Sequence, residues 1–143
     1  MSTDQPSSNN PLNDFTGQHK PKLLLVEDSE INQLLAIDML EEIGMIVDVA
    51  ADGKRAIDKV QQTDYDAVLM DIEMPIMGGL EACQHIRQLG GKYATLPIIA
   101  VTAHDDAEYR AKSATAGMSH HLVKPLDADQ VRQTLFKITK QER

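Results

Sequence analysis

The sequence predicts an α/β fold built around a parallel β-sheet of five strands. Five short apolar segments alternate along the chain with five segments whose apolar residues recur at helical spacing, which is the pattern of strand–helix crossover units. The strand segments are apolar throughout rather than at alternate positions, and this favours a sheet that helices cover on both faces. The predicted strands are KLLLVED (22–28), IVDVAA (46–51), AVLMD (67–71), PIIAVTA (97–103) and HHLVKP (120–125). Periodicity alone leaves the order of these strands open.

Each helix is predicted from its apolar spacing and from residues that favour its ends. In the first helix apolar side chains recur about every four residues, and Gly44 ends the helix because glycine tolerates a positive φ. The fourth helix begins with Asp105 and Glu108 in a capping-box pattern and runs to Gly117. The apolar residues at helical spacing are Ile31, Leu34, Leu35, Met39, Leu40 and Ile43 in the first helix, and Ala56, Ile57 and Val60 in the second, which follows Asp52 and Gly53. In the third helix, which follows Gly78 and Gly79, they are Leu80, Cys83, Ile86 and Leu89. In the fifth helix, capped by Asp127 and Gln130, Val131, Leu135 and Ile138 are expected to face inward.

The chain has the length of one domain, preceded by a polar segment. Residues 1–20 are rich in Ser, Asn, Gln, Asp and Pro, so we expect a disordered tail or linker there and a folded domain over residues 21–143. No apolar run approaches the roughly 18 residues that cross a bilayer, and the N-terminus lacks the features of a secretory signal. The single cysteine, Cys83, cannot form an internal disulfide, so we expect a reducing, cytoplasmic compartment.

The charge and the aromatic content argue against nucleic-acid binding. The net charge is −8, and the 143 residues include two Phe, three Tyr and no Trp. Proteins that bind nucleic acids usually present a basic surface, and those that bind single strands also use stacking aromatic side chains. The acidic surface suits a partner with basic patches, or a site that holds a cation.

Chemically active side chains collect where the predicted strands end. The first strand ends in Glu27 and Asp28, the third in Asp71, the fourth near Thr102, and the fifth at Lys124. In open parallel sheets, ligands bind outside the carboxyl ends of the strands. We therefore expect three carboxylates, a hydroxyl and an ammonium group at one edge of the sheet.

Each of these residues also has an ordinary structural interpretation. Glu27 and Asp28 would favour the positive N-terminus of the next helix. Asp71 would begin a turn, Thr102 would be a β-branched strand residue, and Lys124 would be solvated. If all of these ordinary interpretations held, chemically active side chains would have collected at one edge of the sheet by several independent coincidences. The same interpretations also crowd three acids, which raise one another's pKa unless a cation intervenes.

The whole set suits phosphoryl transfer to a carboxylate in the presence of Mg²⁺. This ion takes oxygen ligands and keeps several waters, so two or three carboxylates suffice to hold it. Asp71 can ligate the ion with one oxygen and attack phosphorus with the other, which gives an acyl phosphate. The ion and the Lys124 ammonium would neutralise the phosphoryl charge, and the Thr102 hydroxyl would hydrogen-bond a phosphoryl oxygen.

Four motifs resemble those of the receiver domains of two-component response regulators and phosphorelays. LLLVED, VLMDIEMPIMGGLEA, AVTA and LVKP occur in that order, and the resemblance extends over roughly residues 22–140. It implies a flavodoxin-like (βα)5 fold with the strand order 2-1-3-4-5. The implied site consists of Asp71 as phosphoacceptor; Glu27, Asp28, Asp71 and the backbone carbonyl of Glu73 around Mg²⁺; Thr102 as switch hydroxyl; Lys124 as phosphate-binding lysine; and a cis bond between Lys124 and Pro125.

Three positions depart from the family pattern. His121 stands at the switch position where Tyr or Phe is usual, and it is smaller, polar and titratable. Gly78 replaces a common Asp and is expected to alter the loop or its helix cap, whereas Ser29 replaces an Asn near the metal site. A metal site made by His120 and His121 is disfavoured, because neighbouring strand residues point to opposite faces.

The resemblance also implies partners and a setting. The phosphodonor would be a histidine kinase or a histidine phosphotransfer protein, and a homodimer through the face of the fourth helix, fifth strand and fifth helix is a further arrangement to test. VEDSEINQ, MPIMGGLEA and AVTAH are most similar to receivers of hybrid histidine kinases. The chain would be the cytosolic part of a membrane-bound hybrid kinase or a stand-alone cytoplasmic regulator. Its chemistry would be limited to Mg²⁺-dependent self-phosphorylation and autodephosphorylation at Asp71.

Two other functions stay open at this point. Residues 71–73, Asp-Ile-Glu, superficially imitate the D-x-D motif of aspartyl-nucleophile phosphatases, although two strands precede them and the second acid is usually Asp. An interaction module of receiver type that is never phosphorylated is the other alternative. Many turnovers on small phosphomonoesters would favour the phosphatase, and the absence of any phosphoryl gain would favour the interaction module.

Overall fold

A computed structural model of the chain describes residues 20–74, 77–103 and 106–141; the predicted tail, apart from Lys20, lies outside them. Within these ranges five strands alternate with five α-helices, so the predicted α/β pattern is confirmed. The strands are β1 (Lys22–Val26), β2 (Ile46–Ala50), β3 (Ala67–Asp71), β4 (Ile98–Thr102) and β5 (His120–Val123). The helices are α1 (Glu30–Glu42), α2 (Gly53–Gln62), α3 (Gly79–Gln88), α4 (Ala107–Ala116) and α5 (Ala128–Gln141), and a 3₁₀ turn, Gly91–Ala94, precedes β4.

The strands form one parallel sheet in the order β2-β1-β3-β4-β5, which confirms the order that the resemblance implies. β3 lies at the centre between β1 and β4, and all five of its residues are buried. Val26 pairs with Met70, and Asp71 pairs with Val101. This register places the residues that follow β1 beside the last residue of β3.

Both faces of the sheet are covered, as the continuously apolar strands predict. Neighbouring residues of a strand point to opposite faces, so β1 places Leu24 and Val26 on one side and Leu23 and Leu25 on the other. The first side packs against α2 and α3, and the second packs against α1 and α5. Val131, Leu135 and Ile138 of α5 are buried, as predicted.

Some predicted boundaries shift by one or two residues. β1 and β5 end two residues earlier than predicted, so Glu27, Asp28 and Lys124 lie in the loops just beyond their strands. The N-cap of α4 is Asp106, whose carboxylate accepts a hydrogen bond from the backbone N of Tyr109 at 3.0 Å. The predicted cap, Asp105, lies outside the described residues, and that prediction was wrong by one position because the observed cap is Asp106. Either of two consecutive aspartates can cap a helix, and only the chain geometry selects the one whose carboxylate reaches the N–H three residues later.

Apolar residues at helical spacing do not all reach the core. Leu89, one of the apolar residues at helical spacing assigned to the third helix, is the residue that follows α3 and is 42% exposed. In α1, Leu40 is buried, whereas Ile31, Leu34 and Leu35 are 71%, 68% and 66% exposed. The apolar spacing predicted the α1 helix correctly but did not show which of its apolar side chains the sheet would cover. None of the helices in the described part of the chain has the length and apolar character needed to cross a bilayer.

Tyr65 links α2 to the sheet and is expected to make stability depend on pH in the alkaline range. Its hydroxyl donates to Asp48 Oδ2 at 2.7 Å, and burial, with a smaller contribution from Asp48, raises the pKa of Tyr65 to about 12. The unfolded chain ionises its tyrosines near pH 10, so the contribution of Tyr65 is complete below pH 10 and is lost as the pH rises towards 12.

We expect wild type to lose about 1 kcal/mol more than the Tyr65→Phe variant between pH 9 and pH 11. Urea denaturation of both proteins at the two pH values measures this difference. An equal loss in both would show that Tyr65 ionises as freely in the folded protein as in the unfolded chain.

Candidate functional site

The carboxyl edge of the sheet gathers four of the predicted site residues. One carboxylate oxygen from each of Glu27, Asp28 and Asp71 lies within 4.8 Å of the other two. Glu27 and Asp71 are 5% and 3% exposed, whereas Asp28 is open to solvent. Lys124 Nζ lies 3.1 Å from Asp71 Oδ2 and 3.4 Å from Glu27 Oε1. Three acids and one ammonium group therefore share a single pocket.

The first turn of α1 holds Glu27 in place. The Oε2 atom of Glu27 accepts hydrogen bonds from the backbone N of Ser29 at 3.2 Å and from Asn32 Nδ2 at 3.4 Å. The backbone carbonyl oxygen of Glu27 accepts a hydrogen bond from Gln33 Nε2 at 2.7 Å. Ser29 is also the N-cap of α1, because its Oγ accepts from the backbone N of Asn32 at 3.3 Å. Asn32 and Gln33 are not among the predicted site residues. Polar side chains just inside a helix that follows Glu27-Asp28 were the available signal.

The Asp71 carboxylate is hydrogen-bonded on both oxygens. Oδ1 accepts from the backbone N of Glu73 at 3.0 Å, and Oδ2 accepts from Lys124 Nζ at 3.1 Å. Burial raises the pKa of Asp71 above its ordinary value; the Lys124 ammonium and the Glu73 N–H oppose this effect, and the charge of Glu27 adds to it. Lys124 and the Glu73 N–H therefore do not fully compensate the cost of burying the Asp71 charge beside Glu27.

Lys124 is positioned by the strand beside it. Its backbone N donates to the carbonyl oxygen of Thr102 at 2.7 Å, and the Lys124–Pro125 peptide bond is cis, as the resemblance implies. Burial acts to lower the pKa of Lys124, but Asp71 and Glu27 together outweigh burial, so the pKa is raised. The side chain is therefore positively charged at neutral pH.

The remaining predicted residues surround this pocket. Thr102 is fully buried at the end of β4 and pairs with Val123 of β5. His121 is half-buried two positions before Val123, so it lies on the same face of the sheet as Thr102. Glu73 is exposed and its N–H faces Asp71; the role of its carbonyl oxygen stays a prediction.

The start of α3 lies directly against the backbone of Asp71. Gly79 N donates to the carbonyl oxygen of Ile72 at 3.0 Å, and a Cβ on Gly79 would clash with the carbonyl oxygen of Asp71. Gly78 is the N-cap of α3 and, lacking a side chain, makes no side-chain cap bond. The close approach of α3 to Asp71 thus requires glycine at position 79.

A patch of exposed apolar side chains borders the pocket, and apolar spacing alone does not distinguish it from the buried side of the helix. We call it the α1 patch, and it consists of Ile31, Leu34 and Leu35. It belongs to the same two turns of α1 whose Asn32 and Gln33 hold Glu27. Exposed apolar groups that cluster beside a polar pocket are typical of protein interaction surfaces.

The chemistry of the donor set fits a hard divalent cation. Mg²⁺ prefers oxygen ligands, and two or three carboxylates with several waters are enough to bind it. Among the described residues, Glu27, Asp28 and Asp71 form the group of acidic, histidine and cysteine side chains close enough to share an ion. A cation here would relieve the repulsion between the buried carboxylates of Glu27 and Asp71.

A scan against protein families and a search of curated proteins point to the same family. Residues 23–136 match the family described as the response regulator receiver domain. The signal transduction histidine-protein kinase BarA of Escherichia coli (strain K12) is 36% identical over 115 residues. That alignment covers 80% of this chain but only 12% of BarA, so the chain spans about an eighth of the length of this curated relative.

Solved structures share the fold. The receiver domain of the sensor histidine kinase PA1611 from Pseudomonas aeruginosa PAO1 is 34% identical, with a TM-score of 0.77 over 83% of this chain and 98% of that one. Its crystal structure has a magnesium ion coordinated in the active-site cleft. The receiver domain of Ssk1 from Saccharomyces cerevisiae, crystallised with the histidine phosphotransfer protein Ypd1, is 23% identical over 86% of this chain and 91% of that one, with a TM-score of 0.79.

Proposed function

The chain belongs to the response regulator receiver domain family, and from this premise we propose that Asp71 accepts a phosphoryl group from a phosphohistidine. One Oδ atom of Asp71 would attack the phosphorus and form a carboxyl–phosphate bond. The bond between phosphorus and the imidazole nitrogen of the donor breaks, and that nitrogen keeps the bonding electron pair. The observation that carries the proposal is the position of Asp71 at the end of the central strand, with Lys124 Nζ 3.1 Å away and two further carboxylates within 4.8 Å.

Glu27, Asp28, Asp71 and the backbone carbonyl of Glu73 would hold Mg²⁺ at this site. The ion would supply the positive charge that the buried carboxylates lack and would neutralise the charge on the transferring phosphoryl oxygens. Lys124 would shift part of its interaction from Asp71 to a phosphoryl oxygen. The magnesium-bound neighbour, 34% identical, supports this assignment.

We infer that phosphorylation changes the surface formed by α4, β5 and α5. The new group adds about −1.5 to −2 charge next to Lys124 and near Thr102. Both residues would draw towards the phosphate, and the Lys124 N–H to Thr102 bond transmits the movement between β4 and β5. A homodimer or another partner would then bind the altered face, with His121 in place of the usual aromatic switch residue. The population shift requires that the two conformers bind the phosphoryl group unequally.

The similarity to receivers of hybrid histidine kinases supports a specific setting. The donor would be a histidine kinase or a histidine phosphotransfer protein, and the chain would act in the cytoplasm as part of a hybrid kinase or as a separate regulator. The complex of the Ssk1 receiver with Ypd1 is an example of such a pairing in another protein.

The test of the proposal is phosphorylation with acetyl phosphate in the presence and absence of Mg²⁺. Intact-mass spectrometry is expected to show a gain of one phosphoryl group with Mg²⁺. Chelation with EDTA is expected to slow the gain by roughly 100-fold or more, because the metal contributes several kcal/mol of charge stabilisation. A protein that gains no phosphoryl group under either condition would instead match a receiver-like interaction module.

The α1 patch is the expected docking surface of the phosphodonor protein. The donor must bring its histidine to Asp71, and it then meets the exposed side chains of α1 at the border of the pocket. We expect Leu34→Glu to reduce kcat/KM for transfer from a phosphorylated histidine phosphotransfer protein by roughly 10- to 100-fold, the cost of a lost apolar anchor.

Two comparisons control this prediction. Ile46→Glu places the same charge on another exposed apolar residue, at the opposite end of the sheet, and should leave transfer unchanged. Labelling by acetyl phosphate, which needs no protein surface, should be equal in all three proteins. Equal transfer to Leu34→Glu and wild type would remove the α1 patch from the docking surface.

A further inference from the structure

A cavity of about 380 Å³ lies beneath α1, beside the phosphoacceptor pocket. Its floor is formed by Leu25, Leu69 and Val101, near the carboxyl ends of β1, β3 and β4. Ala36 and Met39 of α1 form its roof, and Leu126 closes one side. All six of these side chains are apolar.

The size and the lining of the cavity are those of a ligand site rather than of a packing defect. Protein interiors are close-packed, and voids larger than a water molecule are few. Sites for small molecules are mostly apolar clefts of about 300–1,000 Å³ with a few polar groups that orient the ligand. This cavity has a volume in that range and a mostly apolar lining, and its few polar groups converge at one end.

Glu27, Asp71 and Lys124 form that polar end, together with the Asn32 amide that donates to Glu27. Lys124 Nζ donates to Asp71 Oδ2 and forms an ion pair with Glu27 Oε1 at 3.4 Å, so these three groups carry two negative charges and one positive charge. In the metal-free protein an anionic ligand would be repelled by this excess negative charge. An ammonium group has three protons; with one directed to Asp71 and at most one to Glu27, at least one remains to donate to a neutral oxygen of a ligand.

We propose that the cavity binds a small uncharged molecule with an apolar body about the size of one ring and a hydroxyl or carbonyl oxygen that accepts from Lys124. Binding rests on the shape of the cavity and on its charge in the metal-free, unphosphorylated protein, so it does not require that Asp71 be phosphorylated. Leu35 lines the cavity and is also part of the α1 patch, so a bound molecule alters the surface on which the phosphodonor is proposed to dock.

Benzyl alcohol is a suitable probe, and benzoate is its anionic match. Each is titrated into the isotopically labelled, metal-free full chain while the methyl resonances are followed by NMR. We expect benzyl alcohol to shift the methyls of Leu25, Leu69 and Val101 in a saturable way, with a Kd on the order of 1–10 mM. The Kd of benzoate should be higher than that of benzyl alcohol by roughly tenfold or more.

Two substitutions on the same helix test the location. Ala36→Phe fills the cavity and is expected to weaken the binding of benzyl alcohol by roughly tenfold or more, whereas Leu34→Phe adds the same ring outside the lining and should not. If Ala36→Phe does not give a folded spectrum, Ala36→Leu provides a smaller filling of the same space. The proposal is overturned if wild type shows no saturable shift, if Ala36→Phe or its substitute binds as tightly as wild type, or if benzoate binds as tightly as the alcohol. Acetyl phosphate labelling is a separate measurement, so failure of this site and failure of the phosphoacceptor assignment are distinguishable.

Discussion

Asp71→Asn is expected to abolish the mass gain that acetyl phosphate and Mg²⁺ produce in wild type. The amide has nearly the same size as the carboxylate, so the contacts with the Glu73 N–H and the neighbouring backbone can be kept. It lacks the negative charge and the nucleophilic oxygen that the reaction needs. We expect the rate to fall below detection, which means a loss of at least about 1,000-fold.

The matched control is Asp64→Asn. The Asp64 side chain is 85% exposed and pairs with Lys92, away from the pocket. This variant should be phosphorylated at the wild-type rate, and circular dichroism should show that both variants are folded. A mass gain in Asp71→Asn equal to that of wild type would place the phosphoryl group on a different residue.

Arg87→Met is expected to lower the free energy of unfolding by roughly 2–4 kcal/mol. The guanidinium donates through Nε and one terminal nitrogen to the carbonyl oxygen of Gly117, at 2.9 and 2.7 Å. Its other terminal nitrogen donates to the carbonyl oxygens of Tyr93 and Leu96, at 2.8 and 2.7 Å. One side chain of α3 thus satisfies three backbone carbonyls in the segments that lead into β4 and β5, and methionine would leave all three without their donor.

Urea denaturation measures this loss, with two variants for comparison. Arg87→Lys keeps the charge but not the planar arrangement of donors, and should recover only part of the stability. Arg55→Met removes an arginine that is 68% exposed and pairs with the buried Asp52; that carboxylate keeps its bond from the backbone N at position 55, so the loss should be at most about 1 kcal/mol. A loss in Arg87→Met no larger than that in Arg55→Met would show that the network contributes little.

Local pattern was sufficient for most of the fold. The strand AVLMD (67–71) was predicted with its observed bounds, because a buried central strand is apolar on both faces and needs no partner to be recognised. The predicted ends of helices were less accurate where either of two neighbouring residues could serve as the cap, as with Asp105 and Asp106 at the start of α4. The strand order came from the family resemblance and not from periodicity, since spacing along the chain carries no information about which strands are neighbours.

The sequence by itself determined the chemistry of the candidate site: which acids, which hydroxyl and which lysine follow the strands, and hence that they meet at one edge of a parallel sheet. Only the tertiary structure decided the contacts that depend on packing between elements distant in the chain. These are the support of Glu27 by α1, the Arg87 network, the exposure of the α1 patch and the cavity beneath it. The physical reason is that a strand or helix reveals its own periodicity, whereas the surface that it leaves uncovered depends on the position of every neighbouring element.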